Sequence, residues 1–79
     1  MLVLNKKKRE TLKDAGVLLD KAISIVSRVL DEEQDCLDNM PENLQASEKY
    51  ERMEVAIDKL EEAIDQIDSA KENIEEASA

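Results

Sequence analysis

AIDKLEE (56–62), AIDQIDS (63–69) and AKENIEE (70–76) follow one another without a gap, and Ala77 opens a fourth round. A repeat of seven with apolar residues three and four apart sets a single stripe along a helix, so this stretch reads as coiled-coil-like helix and not as strand. Met53, Ile57, Leu60, Ile64, Ile67 and Ile74 take the a and d positions, with Lys71 the one polar residue among them. Ala56, Ala63, Ala70 and Ala77 form the adjacent column. Small side chains there let a neighbouring helix approach at the short end of the usual interaxial range of about 8 to 10 Å. The flank on the other side is acidic throughout: Glu54, Asp58, Glu61, Asp65, Asp68, Glu72 and Glu75.

Upstream, Leu12, Ala15, Leu19, Ala22, Val26, Val29 and Cys36 keep the same three-four alternation. Leu18 and Ile25 widen that face on one side, and Ile23, Leu30 and Leu37 widen it on the other. One neighbouring helix covers only one flank of so broad a face. Between the two helical patterns, Asp38-Asn39-Met40-Pro41 joins residues that suit a helix end to a proline that cannot continue it. The expected organisation is one domain: helix one over about 5–38, a linker over about 39–46 and helix two over about 47–77. Ser47 is the preferred N-cap of the second helix, because it places Glu48 in the first turn beside the positive end of the helix dipole. Pro41 at a first helical position is the alternative start. Within the linker, Leu44 is expected to turn inward while Glu42 and Gln45 face solvent.

At 79 residues with one cysteine and no histidine, the chain has neither an internal disulfide nor the donor set of an ordinary structural zinc site to staple a small core. A second copy is the remaining means of covering the broad face of helix one. The fold class expected is therefore all-α, an antiparallel helical hairpin that assembles into a homo-oligomeric bundle of four or more helices with the first helices at the centre. Ile25 is expected to lie in a buried seam of that assembly.

Charge divides along the chain. Residues 1–30 hold seven basic and three acidic side chains, whereas residues 31–79 hold four basic and seventeen acidic, within a total of −9. No apolar run approaches the roughly 20 residues of a membrane span. Met1-Leu2-Val3-Leu4 precedes the basic cluster and lacks the order and length of a signal peptide, so the expectation is a cytoplasmic protein with a reduced thiol and no membrane contact.

No enzyme is expected, because no histidine exists to activate a nucleophile, and no glycine-rich loop exists to cradle a phosphate. Metal and cofactor sites are not expected either: there is no Glu-x-x-His element, and residues 31–42 lack the central glycine of a calcium loop. Lys6, Lys7, Lys8, Arg9 and Lys13 are candidates for binding an anionic ligand or an acidic partner. The alternative is that Glu72, Glu75 and Glu76 neutralise them across the hairpin. Four cations at a helix start oppose its dipole, so an anion is wanted there from one source or the other. The acidic flank could imitate a nucleic-acid backbone or simply be solvated, while direct nucleic-acid binding is not expected. Cys36 is read as a small buried hydrophobe, and Tyr50 as packing over the linker or stacking on a ligand base.

Glu32-Glu33-Gln34, Asp38-Asn39-Met40-Pro41-Glu42, Leu44-Gln45 and Ser47-Glu48 together resemble a linker motif found in a family of short acidic, mostly uncharacterised phage and prophage proteins. The motif covers about a third of the chain, and the basic opening and Ile/Ala/Glu-rich second helix suit the same plan. The resemblance implies a phage-type accessory protein of the host cell cytoplasm. By fold-level analogy it would bind and block or sequester a host component, possible targets being a defence protein or an anionic nucleotide signal.

Overall fold

The computed structural model describes residues 4–79; Met1 to Val3, which enter the signal-peptide reading above, lie outside the described residues. Helix α1 spans Lys6–Asp38 and helix α2 spans Glu48–Ala77. They pack antiparallel as a hairpin, in a rod whose extents are 59 × 16 × 13 Å. Among the described residues there is no strand, and no helix is long and apolar enough to cross a membrane.

Each end of each helix has a local cause. The Asn5 side chain accepts a hydrogen bond from the Lys8 amide at 2.8 Å and so starts α1. At its other end the Asn39 amide and side chain both donate to the Asp35 carbonyl. Pro41 and Ser47, the rival starts of the second helix, are both used. Pro41 opens a single 3-10 turn, Glu42–Leu44, while Ser47 caps α2, its hydroxyl accepting from the Tyr50 amide and donating to the Leu44 carbonyl at 2.6 Å. The linker is thus internally bonded, but Leu44 does not turn inward: it is exposed, because the 3-10 turn directs it away from the helix pair.

Lys71 of α2 bonds to Asp20 of α1 at 2.7 Å, and Leu12, Gly16, Ile74 and Ser78 meet at one groove. With a rise of about 1.5 Å per residue on both helices, residues stand level when their numbers sum to about 90. In α2 the heptad positions read from the sequence point inward: Ile57 is buried, at 5 % exposure, and Met53, Leu60, Ile64, Ile67, Lys71 and Ile74 are half-buried.

In α1 the inward positions are Leu12, Gly16, Leu19, Ile23, Val26, Leu30, Glu33 and Leu37. This corrects the sequence reading at two places, since Val29 and Cys36 are exposed. The repeat of seven is unchanged, but the hairpin buries the column Ile23, Leu30, Leu37 in preference to Ala22, Val29, Cys36. Longer aliphatic side chains remove more apolar area from water, at about 25 cal/mol per Å², so the helix turns that column toward its partner.

Lys71 occupies a core position yet keeps its charge, because its ammonium reaches out to Asp20. The hydrogen bond that Lys71 donates to Asp20, reinforced by that carboxylate's charge, raises the Lys71 pKa above its ordinary 10.5. A raised lysine value stabilises the fold fully below 10.5, and the contribution disappears as pH climbs through the folded value. Lys71→Gln should therefore melt slightly below the native chain at pH 7, and the gap should close in strongly alkaline buffer. A gap independent of pH, measured by circular dichroism, would remove the ion pair as its cause.

Candidate interaction faces

One residue turns an α-helix by about 100°, so each inward position has a neighbour on either side of the hairpin. In an antiparallel pair both the chain direction and the inward direction reverse. Shifts of the same sign therefore fall on the same side of both helices. Lys13, Val17 and Asp20, each one residue after an inward position of α1, line one groove with Glu75, which follows inward Ile74 of α2.

On the side one residue before the inward positions, large apolar residues stand exposed along α1. From α1 it presents Leu18 and Ile25, at 64 % and 55 % exposure, with Val29 and Cys36 also exposed and Ala15 and Ala22 half-buried. Ile25 therefore does not lie in a seam of the hairpin itself. From α2 the same side presents Ala56, Ala63, Ala70 and Ala77, alternating with Arg52, Lys59, Gln66 and Asn73. Glu32 is the one carboxylate among these columns. Leu18, Ala22, Ile25 and Val29 are themselves spaced by fours and threes, and the spacing continues through Glu32 to Cys36, so α1 carries a second heptad seam, with one charged position, beside the one α2 fills.

The opposite side is acidic. Glu54, Asp58, Glu61, Asp65, Asp68, Glu72 and Glu75 are all exposed and extend over about 31 Å of α2. Asp20, Asp31 and Asp38 add to this side from α1. Lys71 reaches into it from an inward position, pairing with Asp20 and, at 3.9 Å, with Glu75, and Lys13 and Val17 of α1 stand at its end. The acidic flank foreseen from the heptad thus runs exposed along the whole of α2, from Glu54 to Glu75.

The basic residues do not form one cluster. Lys6, Arg9 and Lys13 line a groove with Glu10 and Ser78 on the acidic side of the rod, whereas Lys7 and Lys8 flank Leu4, Thr11 and Leu12. Consecutive residues on a helix diverge by about 100°, which is why a run in sequence becomes two patches in space. The ion pairs among the described residues are Arg52 with Glu48, Lys59 with Glu62, and Lys71 with Asp20 and Glu75. None of them neutralises Lys6, Lys7, Lys8, Arg9 or Lys13, so the expected pairing with Glu72, Glu75 and Glu76 is not formed. The register accounts for the first turn: Ser78 stands level with about residue 12, so Lys6 to Arg9 project past the last turn of α2, while Lys13 shares a groove with Glu75 without pairing with it. The Arg9 Nε atom is enclosed and has no hydrogen-bond partner among the described residues.

Tyr50 is half-buried in the first turn of α2, at the linker end, so the length of the rod separates it from the basic residues. No single site unites them. Among the described residues, no group of three or more Asp, Glu or Cys side chains is arranged to hold a metal ion. No family model matches the chain, and no curated protein or solved structure shows significant similarity to it.

Proposed function

We propose that the protein is a non-catalytic, phage-type accessory protein of the host cytoplasm, which self-associates and acts by binding, blocking or sequestering a host component. One observation carries this reading: among the described residues Ile57 alone is buried, while Val17, Leu18, Ile25 and Val55 are more than half exposed. A hairpin that leaves these large apolar side chains in water and fully buries only one is completed by what it associates with. The two sides then divide the work. The apolar side takes another copy, and the acidic side remains for a host protein with a basic surface, which long-range attraction would steer onto it.

A second reading, capture of an anionic nucleotide at the open end, draws on the enclosed Arg9 Nε and on Lys6 and Lys13 beside it. One experiment tests both. The native chain, Asp58→Lys/Asp65→Lys/Glu72→Lys and Lys6→Gln/Arg9→Gln/Lys13→Gln are used to capture protein and small-molecule ligands from host lysate at low salt. Loss of a protein partner in the first variant alone supports the acidic side, whereas loss of a nucleotide in the second alone supports the open end. Capture of nothing by the native chain would count against the binding reading as a whole.

A further inference from the structure

This side is apolar along α1 from Ala15 to Cys36 except at Glu32, whereas along α2 its alanines alternate with Arg52, Lys59, Gln66 and Asn73, so the two halves differ in relief. α1 contributes protruding Leu18, Ile25 and Val29, while α2 contributes a column of alanines. We propose that its occupant is a second copy of this chain, turned about a two-fold axis parallel to the helices, so that the second seam of each α1 seats on the alanine column of the partner's α2. The proposal rests on the self-association reading above and gives it a geometry.

Three observations favour this arrangement. The first is angular: a seam one residue away from the inward seam lies about 100° round the helix, close to the right angle by which each helix of a square four-helix bundle faces its two neighbours. The second is size. Large side chains fit over small ones at close helix spacing. The other two-fold arrangement, with α1 on α1 and α2 on α2, sets large against large and alanine against alanine, and two rigid hairpins cannot match both spacings.

The third is charge. A closed two-fold about this axis permits no sliding, so the hairpin's own register fixes which residues meet. Residues whose numbers sum to about 90 again stand level, and this brings Glu32, the one carboxylate of the apolar side, beside Lys59 of the partner subunit. The acidic flanks of both copies point away from the interface, which leaves them free and avoids setting them against each other. The expectation that the first helices occupy the centre is replaced by a ring in which each α1 lies between two copies of α2.

Cys36 supplies the test, because it is exposed on this side and stands within about half a turn of Ala56 of the partner subunit. Ala56→Cys adds a small side chain at an exposed position, and mild oxidation with diamide takes the two thiol hydrogens as a disulfide forms. The native chain should show at least twice its 8.9 kDa mass by light scattering. Oxidised Ala56→Cys should run as a covalent pair on a non-reducing gel, whereas Val55→Cys, on the outer surface of α2, should not. A native monomer at micromolar concentration overturns the self-association reading together with this geometry. A native oligomer in which Ala56→Cys stays uncrosslinked, or crosslinks no faster than Val55→Cys, overturns the geometry alone.

Discussion

Replacing Ile57 with alanine should lower the melting temperature by on the order of 10 °C or more and leave a population of partly melted chains at 37 °C. Large-to-small changes at a buried aliphatic residue cost about 2 to 5 kcal/mol, from lost transfer energy and from the cavity that remains. A domain of this size has only about 4 to 12 kcal/mol of stability to lose, at roughly 0.05 to 0.15 kcal/mol per residue. No other described side chain is buried, so the hairpin has little with which to refill the space. Neighbouring Val55 gives the contrast. It is 58 % exposed, and Val55→Ala should change stability by no more than about 0.5 kcal/mol. Thermal melts of both variants check the expectation, and equal shifts would mean that Ile57 is not the centre of the packing.

The heptads of α2 were legible because its apolar residues occupy only the inward columns, leaving a single rotational setting that buries them. Ser47 was legible as a cap for the same kind of reason, since a hydroxyl one residue before the pattern has one productive geometry. α1 was harder to read. Its apolar face spans several columns, and periodicity states how wide such a face is without stating which part meets the partner. Cys36 and Val29 were accordingly placed inside when Leu30 and Leu37 fill that position. Leu44 failed for another reason: its direction is set by the 3-10 turn that Pro41 opens, and hydrophobicity alone says nothing about that.

The candidate site shows the same division. The acidic flank follows directly from the repeat and is found intact. The basic run misleads, because adjacency in a helical sequence separates side chains in space. The partnership of Asp20 with Lys71 depends on the register between helices, which neither helix carries by itself. A second seam on α1 was present in the sequence as excess width, and the structure resolves it into a separate surface.

If the chain pairs as proposed, Ile25→Asp should convert the pair to 8.9 kDa monomers without abolishing the hairpin. The sequence placed Ile25 in a buried seam of an assembly, and the single hairpin leaves it exposed. At 55 % exposure in the single chain, an aspartate there costs the helix only a few tenths of a kcal/mol in propensity. In the proposed pair the same carboxylate would be enclosed against the partner's alanine column, drawn only partly toward Lys21 and Arg28 one turn away on α1, which costs roughly 3 kcal/mol for each buried charge. Two-fold symmetry applies that cost twice, so association should weaken by about four orders of magnitude, well past the micromolar range. Ser24→Asp, one residue earlier and facing the acidic side, should leave the mass unchanged. If a second copy supplies burial that the monomer lacks, the native chain's melting temperature should rise with protein concentration, and that of Ile25→Asp should not. An Ile25→Asp protein that keeps the native mass would show that the second seam of α1 faces water in the assembly, and the apolar strip would then need an occupant other than this chain.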